Sequence, residues 1–428
     1  MFQMVSASWA LFLGMFLLMI GNGLQGTLLG LRGELEGFST FSLSVVMSAY
    51  FVGFLFSSQL TPKLIRRVGH VRVFAALGSL ISAVLITYPL LADPIAWTVG
   101  RVVIGFCFCG VYVTAESWLN DANSNETRGK ALSFYLMVQM AGIVAAQYIV
   151  SQGDISGYTL FIIPSVLVSL AFAPILLSIR PTPQFGQTKP MTIRRLIEAS
   201  PLGCVGMFLL GGIFSAQFGM SAVYGTRAGL SIGQISVFVS VIYVAALVAQ
   251  YPIGWLSDRL DRRILIMVLG FLGGIGALIA FFVPGQFSII LISAAILGGT
   301  SNPLYALLIA YTNDYLERDD MAAAAGGLLF INGIGAIAGP LIVGQVMDAL
   351  GANGFWMFSA TLMIILAAYA AFRMTRRSRA DLEVDGVSYA VVTATSSPIL
   401  VEVAQEVYVE TEEEAEAEAE AENEQDAQ

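Results

Sequence analysis

Apolar residues in this chain fall into long runs, and polar residues gather in the short breaks between them. An α-helix needs about 20 mostly apolar residues to cross the hydrocarbon core of a bilayer. Twelve runs of that kind can be laid down: Trp9–Leu31, Phe41–Thr61, Val71–Leu91, Ile95–Trp118, Ala131–Val150, Tyr158–Ile179, Leu202–Tyr224, Gln234–Trp255, Ile264–Val283, Ser288–Tyr311, Ala322–Met347 and Gly354–Phe372. The breaks carry Pro, Gly, Asn and charge, as loops do. The pattern predicts an all-α integral membrane protein with 12 transmembrane helices. The first run exceeds the apolar core of a secretory signal and no positive segment precedes it, so it reads as a retained first span.

Composition supports the same class. The chain is 57% hydrophobic and 12% charged, against about 25% charged in soluble domains. Its mean hydropathy is +0.77. The net charge of -9 is misleading, because much of the acid lies in one terminal run from Glu412 to Asp426. Basic residues never cluster with interleaved aromatics, so nucleic acid is not an expected partner.

Lys and Arg positions set an expected orientation. With both termini in the cytoplasm, 18 of the 21 basic residues fall in inner loops and the tail: Lys63, Arg66, Arg67, Arg72, Arg128, Lys130, Arg180, Lys189, Arg194, Arg195, Arg259, Arg262, Arg263, Arg318, Arg373, Arg376, Arg377 and Arg379. Only Arg32 and Arg227 fall in outer loops, and Arg101 lies inside a span. Localisation in the cytoplasmic (inner) membrane is expected, with the lipid bilayer as an obligatory partner.

The halves of the chain repeat each other. At an offset of 192, Gly14-Met15-Phe16-Leu17-Leu18 recurs as Gly206-Met207-Phe208-Leu209-Leu210, Gln25 falls on Gln217, and Ser44-Val45 on Ser236-Val237. At 193, Tyr112 falls on Tyr305, Asn120-Asp121 on Asn313-Asp314, and Gly142 on Gly335. At 196, Arg66-Arg67 falls on Arg262-Arg263. Six helices return the chain to the same side, so the repeats are parallel. The expected organisation is a six-helix bundle over residues 1–180, a cytoplasmic linker over 181–200, a second bundle over 201–375 and a tail over 376–428. The tail's Glu-Ala repeat has no apolar face to pack and is expected to stay solvated.

Polar groups inside spans are costly in hydrocarbon and should face a cavity or another helix. Arg101 begins about six residues below the outer end of the fourth span, roughly 9 Å deep at 1.5 Å per residue. Asn22 and Gln25 reach a similar depth on the first span, on one helical face. With Gln217, Gln139, Asn332 and Tyr305 they are the candidate lining of a solute cavity; helix-to-helix hydrogen bonding is the alternative. Tyr50, Tyr135 and Tyr243 are further candidates, or packing residues. No Asp or Glu lies in the central third of any span. Glu34 and Glu36 end the first, and Glu116 ends the fourth.

The connection between spans eight and nine reads Gly254-Trp-Leu-Ser-Asp258-Arg259-Leu-Asp-Arg262-Arg263. It resembles the G-x-x-x-D-R-x-G-R-R/K loop motif of the major facilitator superfamily, with Asp261 replacing the later glycine. The matching first-half loop keeps Arg66, Arg67 and Gly69, but Pro62 stands where the acid belongs. Arg101-Val-Val-Ile-Gly105 resembles the R-x-x-x-G motif of the fourth helix. Ala49 to Gly53, Arg67 to Ala75, Glu116 to Asn120 and Arg128-Gly129 resemble the YcaD-like branch. The resemblance spans residues 9–373 and implies two pseudo-symmetric six-helix bundles (the superfamily's fold) rocking about a midplane site. It implies that loop carboxylates dock on helix ends of the other half. Asp258, Arg259, Arg262, Arg263, Glu116, Arg66 and Arg67 are therefore the candidate gating residues.

Other classes lack their residues. There is no phosphate-binding G-x-x-x-x-G-K-S/T run, nucleophile elbow or H-E-x-x-H, so the chain reads as no enzyme. His70 has no neighbours spaced for a metal, no cofactor is implied, and Cys107, Cys109 and Cys204 read as small buried side chains. The expected activity is secondary transport of a small solute by a monomer. Coupling to protons is expected through Glu34, which lies on the side where Arg101 begins its helix. A transporter-like sensor signalling through the tail and a passive facilitator are the alternatives. The antiporter motif of the fifth helix is missing; a similar Gly335-x-x-x-Gly339-Pro340 run lies on the eleventh.

Overall fold

The computed structural model of the protein describes residues 2–122, 125–178, 191–376 and 392. Among these, helices account for all regular structure. They are α1 (Phe2–Leu35), α2 (Thr40–Val68), α3 (His70–Leu90), α4 (Pro94–Ala122), α5 (Asn125–Gln152), α6 (Thr159–Ser178), α7 (Ile193–Ala199), α8 (Pro201–Arg227), α9 (Ile232–Ser257), α10 (Arg262–Phe282), α11 (Phe287–Asn313), α12 (Arg318–Leu350) and α13 (Gly354–Arg376). All but α7 are long and apolar enough to span a membrane, twelve in number as expected.

The observed helices run past the apolar runs into flanking polar sequence, because backbone hydrogen bonding continues until a cap stops it. Ser39 caps α2, and Ser231 with Gln234 forms a capping box on α9. Two features were not anticipated. The 181–200 linker contains the short helix α7, capped by Thr192. Within α8, Ala216–Met220 forms a π turn, so Gln217 sits in a local bulge whereas its counterpart Gln25 sits in regular helix. Residues 181–190 of the linker, the tail beyond 376 except Val392, and Arg180, Lys189, Arg377 and Arg379 lie outside the described residues.

Within each half, successive spans are joined by short connections and run antiparallel. One face of the molecule, here the basic face, carries the loops rich in Lys and Arg; the other is the opposite face. In the first bundle α1 packs on α5 and α6, α2 on α4, and α3 on α4 and α6. The second bundle repeats this with α8 on α12, α9 on α11, and α10 on α11 and α13. The bundles meet along α2–α12 and α5–α9.

Glycines show the repeat at atomic scale. A Cβ on Gly105 would lie 1.9 Å from the Tyr50 carbonyl oxygen, and one on Gly298 would lie 2.3 Å from that of Ile242. Likewise Gly142 abuts the Phe16 carbonyl at 2.9 Å and Gly335 that of Phe208 at 2.0 Å. Each pair maps onto the other at offset 192 or 193. Close backbone approach through small residues is how helices associate where no hydrophobic force separates them from lipid.

Candidate functional site

The close approach of α2 and α4 at Gly105 brings Arg101 over the ring of Tyr50, with its guanidinium carbon 4.7 Å from the centroid. Arg101 is fully buried. Its Nη1 donates to Gln25 Oε1 at 2.7 Å, and Nη2 approaches Met47 Sδ at 3.6 Å. Gln25 Nε2 donates to Asn22 Oδ1 at 2.9 Å. Asn22 Nδ2 in turn donates to the hydroxyls of Tyr112 at 2.8 Å and Tyr50 at 3.4 Å. The structure thus brings Arg101, Gln25 and Asn22 into one buried chain across α1, α2 and α4. Tyr112, whose hydroxyl in turn donates to Met19 Sδ at 3.3 Å, stands out in the sequence only as a repeat position.

Among the described residues no carboxylate pairs with this cation. Its charge is spread over an amide oxygen, a sulfur and an aromatic face, and its Nε is buried without a hydrogen-bond partner. A cation at that depth is expensive, and the contact to Tyr50 offsets part of the cost through cation–π attraction.

The second bundle does not repeat this chemistry. Phe214 stands at the position equivalent to Asn22 and Ala294 at that of Arg101. Gln217 donates to Ser301 Oγ at 2.9 Å, and the buried Tyr305 hydroxyl, equivalent to that of Tyr112, has no partner. The scaffold is symmetric and the polar network is not. Gln139 and Asn332 are not brought to it: Asn332 donates to the Met207 carbonyl at 2.9 Å, and both polar atoms of buried Gln139 lack a hydrogen-bond partner.

Between the bundles, Tyr50, Phe51, Phe54, Phe214 and Phe218 surround a central space of about 30 Å³ that Asn332 also lines. Near the opposite face the bundles touch directly: a Cβ on Gly30 of α1 would lie 2.9 Å from Ala222 of α8, and one on Gly219 2.9 Å from Met47. Arg227 at the end of α8 donates to Thr40 of α2 at 2.8 Å and pairs with Asp348 of α12 at 3.0 Å. It therefore ties the two bundles together. Glu34 lies within electrostatic reach of Arg227 and Asp348. These contacts hold the two bundles together near the opposite face.

At the basic face, Arg262 pairs with Asp314 at the end of α11 and donates to the Ala310 carbonyl at 3.3 Å. Arg263 pairs with Asp261 at 2.7 Å, which gives a role to the acid that replaces the motif glycine. Arg259 folds back over the Trp255 ring at 4.1 Å. Asp258 is exposed at the end of α9. Glu116 is buried and accepts a hydrogen bond from the Tyr135 hydroxyl at 3.1 Å, whereas Arg66 and Arg67 are exposed at the end of α2. Asp314 was missed as a partner. Its signal was the repeated Asn-Asp pair at 120–121 and 313–314.

Two six-helix bundles related by a parallel repeat, with a buried polar network inside the first, define a polytopic transporter architecture. The description Major Facilitator Superfamily matches residues 11–236 and 202–401, and the chain belongs to that superfamily of membrane transporters. It is similar to an uncharacterised transporter of the superfamily from Enterobacter sp. (strain 638), 27% identical over 371 residues, 84% of this chain and 91% of that one. It is also similar to the uncharacterised transporter YcaD of Escherichia coli O6:K15:H31 (strain 536), 27% identical over 368 residues with 84% and 91% coverage. Among solved structures it superimposes on the nucleoside transporter NupG (D323A mutant) with a TM-score of 0.74 at 15% identity, over 86% of this chain and all of that one. A bacterial homolog of the human lysosomal transporter Spinster, inward-facing and occupied, gives 0.71 at 16% identity, with 88% and 97% coverage. A D-xylose-proton symporter gives 0.67 at 14% identity, with 85% and 96% coverage.

Proposed function

We propose that the protein is a secondary transporter that carries a small solute across the cytoplasmic membrane by alternating access, as a monomer coupled to protons. The observation that carries this reading is the state of the interface. Near the opposite face the bundles are held together by α1–α8 contacts and by Arg227, and the space between them at Tyr50, Phe54 and Phe218 is narrow. A carrier must open that space to one side at a time. The gating set is then Asp258, Arg259, Arg262, Arg263, Glu116, Arg66 and Arg67 on the basic face, with Arg227 and Asp348 opposing them.

The basic face is cytoplasmic in this reading, by the asymmetry of Lys and Arg. A reporter fused after Arg379 is expected to be active only if it is a cytoplasmic one; periplasmic activity there would overturn the orientation.

For coupling, Glu34 is the titrating group. Ionised, it holds Arg227 with Asp348; protonated, it weakens that hold and lets the opposite face part. Flux of candidate solutes into proteoliposomes is expected to rise when a pH gradient is imposed, and the rise should vanish in Glu34→Gln. A flux indifferent to the gradient means a facilitator. Coupling that survives Glu34→Gln moves the proton site elsewhere, with Glu116 as the next candidate.

A further inference from the structure

The joint between α5 and α9 is not filled. A crevice of about 260 Å³ lies there, with Leu136 and Met140 of α5 and Ala246 of α9 on its walls. Its rim is Met137, Leu247 and Tyr251, which are 44%, 38% and 81% exposed. Tyr251 belongs to an exposed stripe of α9 with Val244, Val248 and Trp255, at 45%, 67% and 51%. Spaced three or four residues apart inside a span, these side chains form one face of the helix and meet lipid. The crevice therefore opens sideways into the bilayer.

Its floor is polar. Gln250 and Asn302, each 7% exposed, both line it. Asn302 Nδ2 is held by the Gly298 carbonyl at 3.2 Å, whereas Gln250 Nε2 is buried with no hydrogen-bond partner. Gln250 lies seven residues before Ser257, the end of α9, which is about 10 Å into the membrane at 1.5 Å per residue. A buried donor without an acceptor is costly in hydrocarbon. Next to Asn302 in sequence is Ser301, which accepts from Gln217 at the centre of the molecule. The floor of the crevice thus lies one residue along α11 from the Gln217–Ser301 hydrogen bond.

We propose that this crevice is a lateral binding site for a neutral, ring-sized apolar solute bearing a hydrogen-bond acceptor, which Gln250 Nε2 engages, and that the transported solute enters from the lipid. This inference rests on the transport reading above and names the solute class for it. An apolar cavity of about 150 Å³ holds benzene, so this one accommodates a larger ring compound. Among the described residues none that lines it is charged, so an anionic or cationic headgroup would be buried unpaired. A sugar-like solute would present more hydroxyls than Gln250, Asn302 and Ser133 together satisfy.

Benzophenone is a suitable probe: it is neutral, carries one ketone acceptor, and under ultraviolet light couples to nearby C–H groups, methionine readily. The full-length protein in proteoliposomes is irradiated with it and the label mapped by peptide mass spectrometry. Label is expected to concentrate on Met137 and Met140. Gln250→Leu should lower it by about two- to tenfold, the worth of one ordinary hydrogen bond. Ala246→Met, which fills the crevice without removing the donor, should lower it independently. Label spread evenly over lipid-facing positions, or unchanged in both variants, overturns the site. So does labelling of Met137 and Met140 by benzophenone tethered to a phospholipid chain but not by the free ketone, since the occupant would then be lipid. The flux assay separates the two readings. Site-specific labelling in a protein that moves no solute sinks the transport reading alone, and solute flux with no labelling sinks this inference alone.

Discussion

Arg101→Ala is expected to insert into the membrane at wild-type level and to lose solute flux in proteoliposomes by roughly ten- to hundredfold. The estimate takes about 1.5–3 kcal/mol for a hydrogen bond made by a charged group, converted at 1.4 kcal/mol per tenfold. The buried chain Arg101–Gln25–Asn22–Tyr112 joins α1, α2 and α4 through a guanidinium that also lies on Tyr50. Tyr50 is part of the aromatic group around the central space. Removing the cation frees Gln25 Oε1 and the Tyr50 face together, so the wall of the solute path loses its fixed shape. Arg101→Lys is expected to fail almost as badly. An ammonium is a compact point charge and does not span an amide oxygen and an aromatic face as a planar guanidinium does. Full flux in Arg101→Ala, at equal protein per vesicle, would reduce the residue to a structural cation.

Gly105→Leu is expected to give little folded protein, with a thermal midpoint in detergent far below wild type. A Cβ at this position would stand 1.9 Å from the Tyr50 carbonyl oxygen, a backbone atom that cannot turn aside. The helices must separate, which breaks the packing of α2 on α4 and pulls Tyr50 away from Arg101. The cost should exceed the roughly 1–3 kcal/mol usual for an overpacked core. Gly298→Leu should behave alike, because the repeat places it against the Ile242 carbonyl at 2.3 Å. Gly326→Ala serves as the control, with no atom within 4 Å of the added carbon. If Gly105→Leu folds and melts like wild type, close approach does not set the α2–α4 spacing.

Much of this architecture is legible in the sequence because hydrocarbon is an unforgiving solvent. Every span must be apolar and about as long as the bilayer is thick, so twelve runs give twelve spans. The repeat survives because symmetric backbone contacts, such as Gly105 on Tyr50 and Gly298 on Ile242, admit few residues. Arg101, Asn22 and Gln25 stand out because polar groups at depth are rare, and equal depth on neighbouring helices brings them together. What stays hidden is of two kinds. Tyr112 in an apolar run looks like packing, and only its neighbours reveal that its hydroxyl belongs to a hydrogen-bond chain. Arg227 looks like a solvated loop cation until α2 and α12 are seen on either side of it. The π turn at Ala216–Met220 adds one residue to a helix without disturbing hydropathy, so no periodicity betrays it. The α5–α9 crevice is a missing volume, which no residue spells out.

The central claim is that the bundles rock between two states that open opposite faces in turn. Distances between pairs of spin labels test it directly, in protein whose three cysteines have been replaced. One pair, at Ser39 and Leu350, spans the opposite face; the other, at Val68 and Glu317, spans the basic face. The account predicts two distance populations for each pair, with the short distance on one face accompanying the long distance on the other. Asp258→Asn should shift the ratio for both pairs in opposing senses, by about 1–3 kcal/mol, the usual size of a coupling between states. A single unchanging distance on each face, in wild type and variant alike, would contradict alternating access.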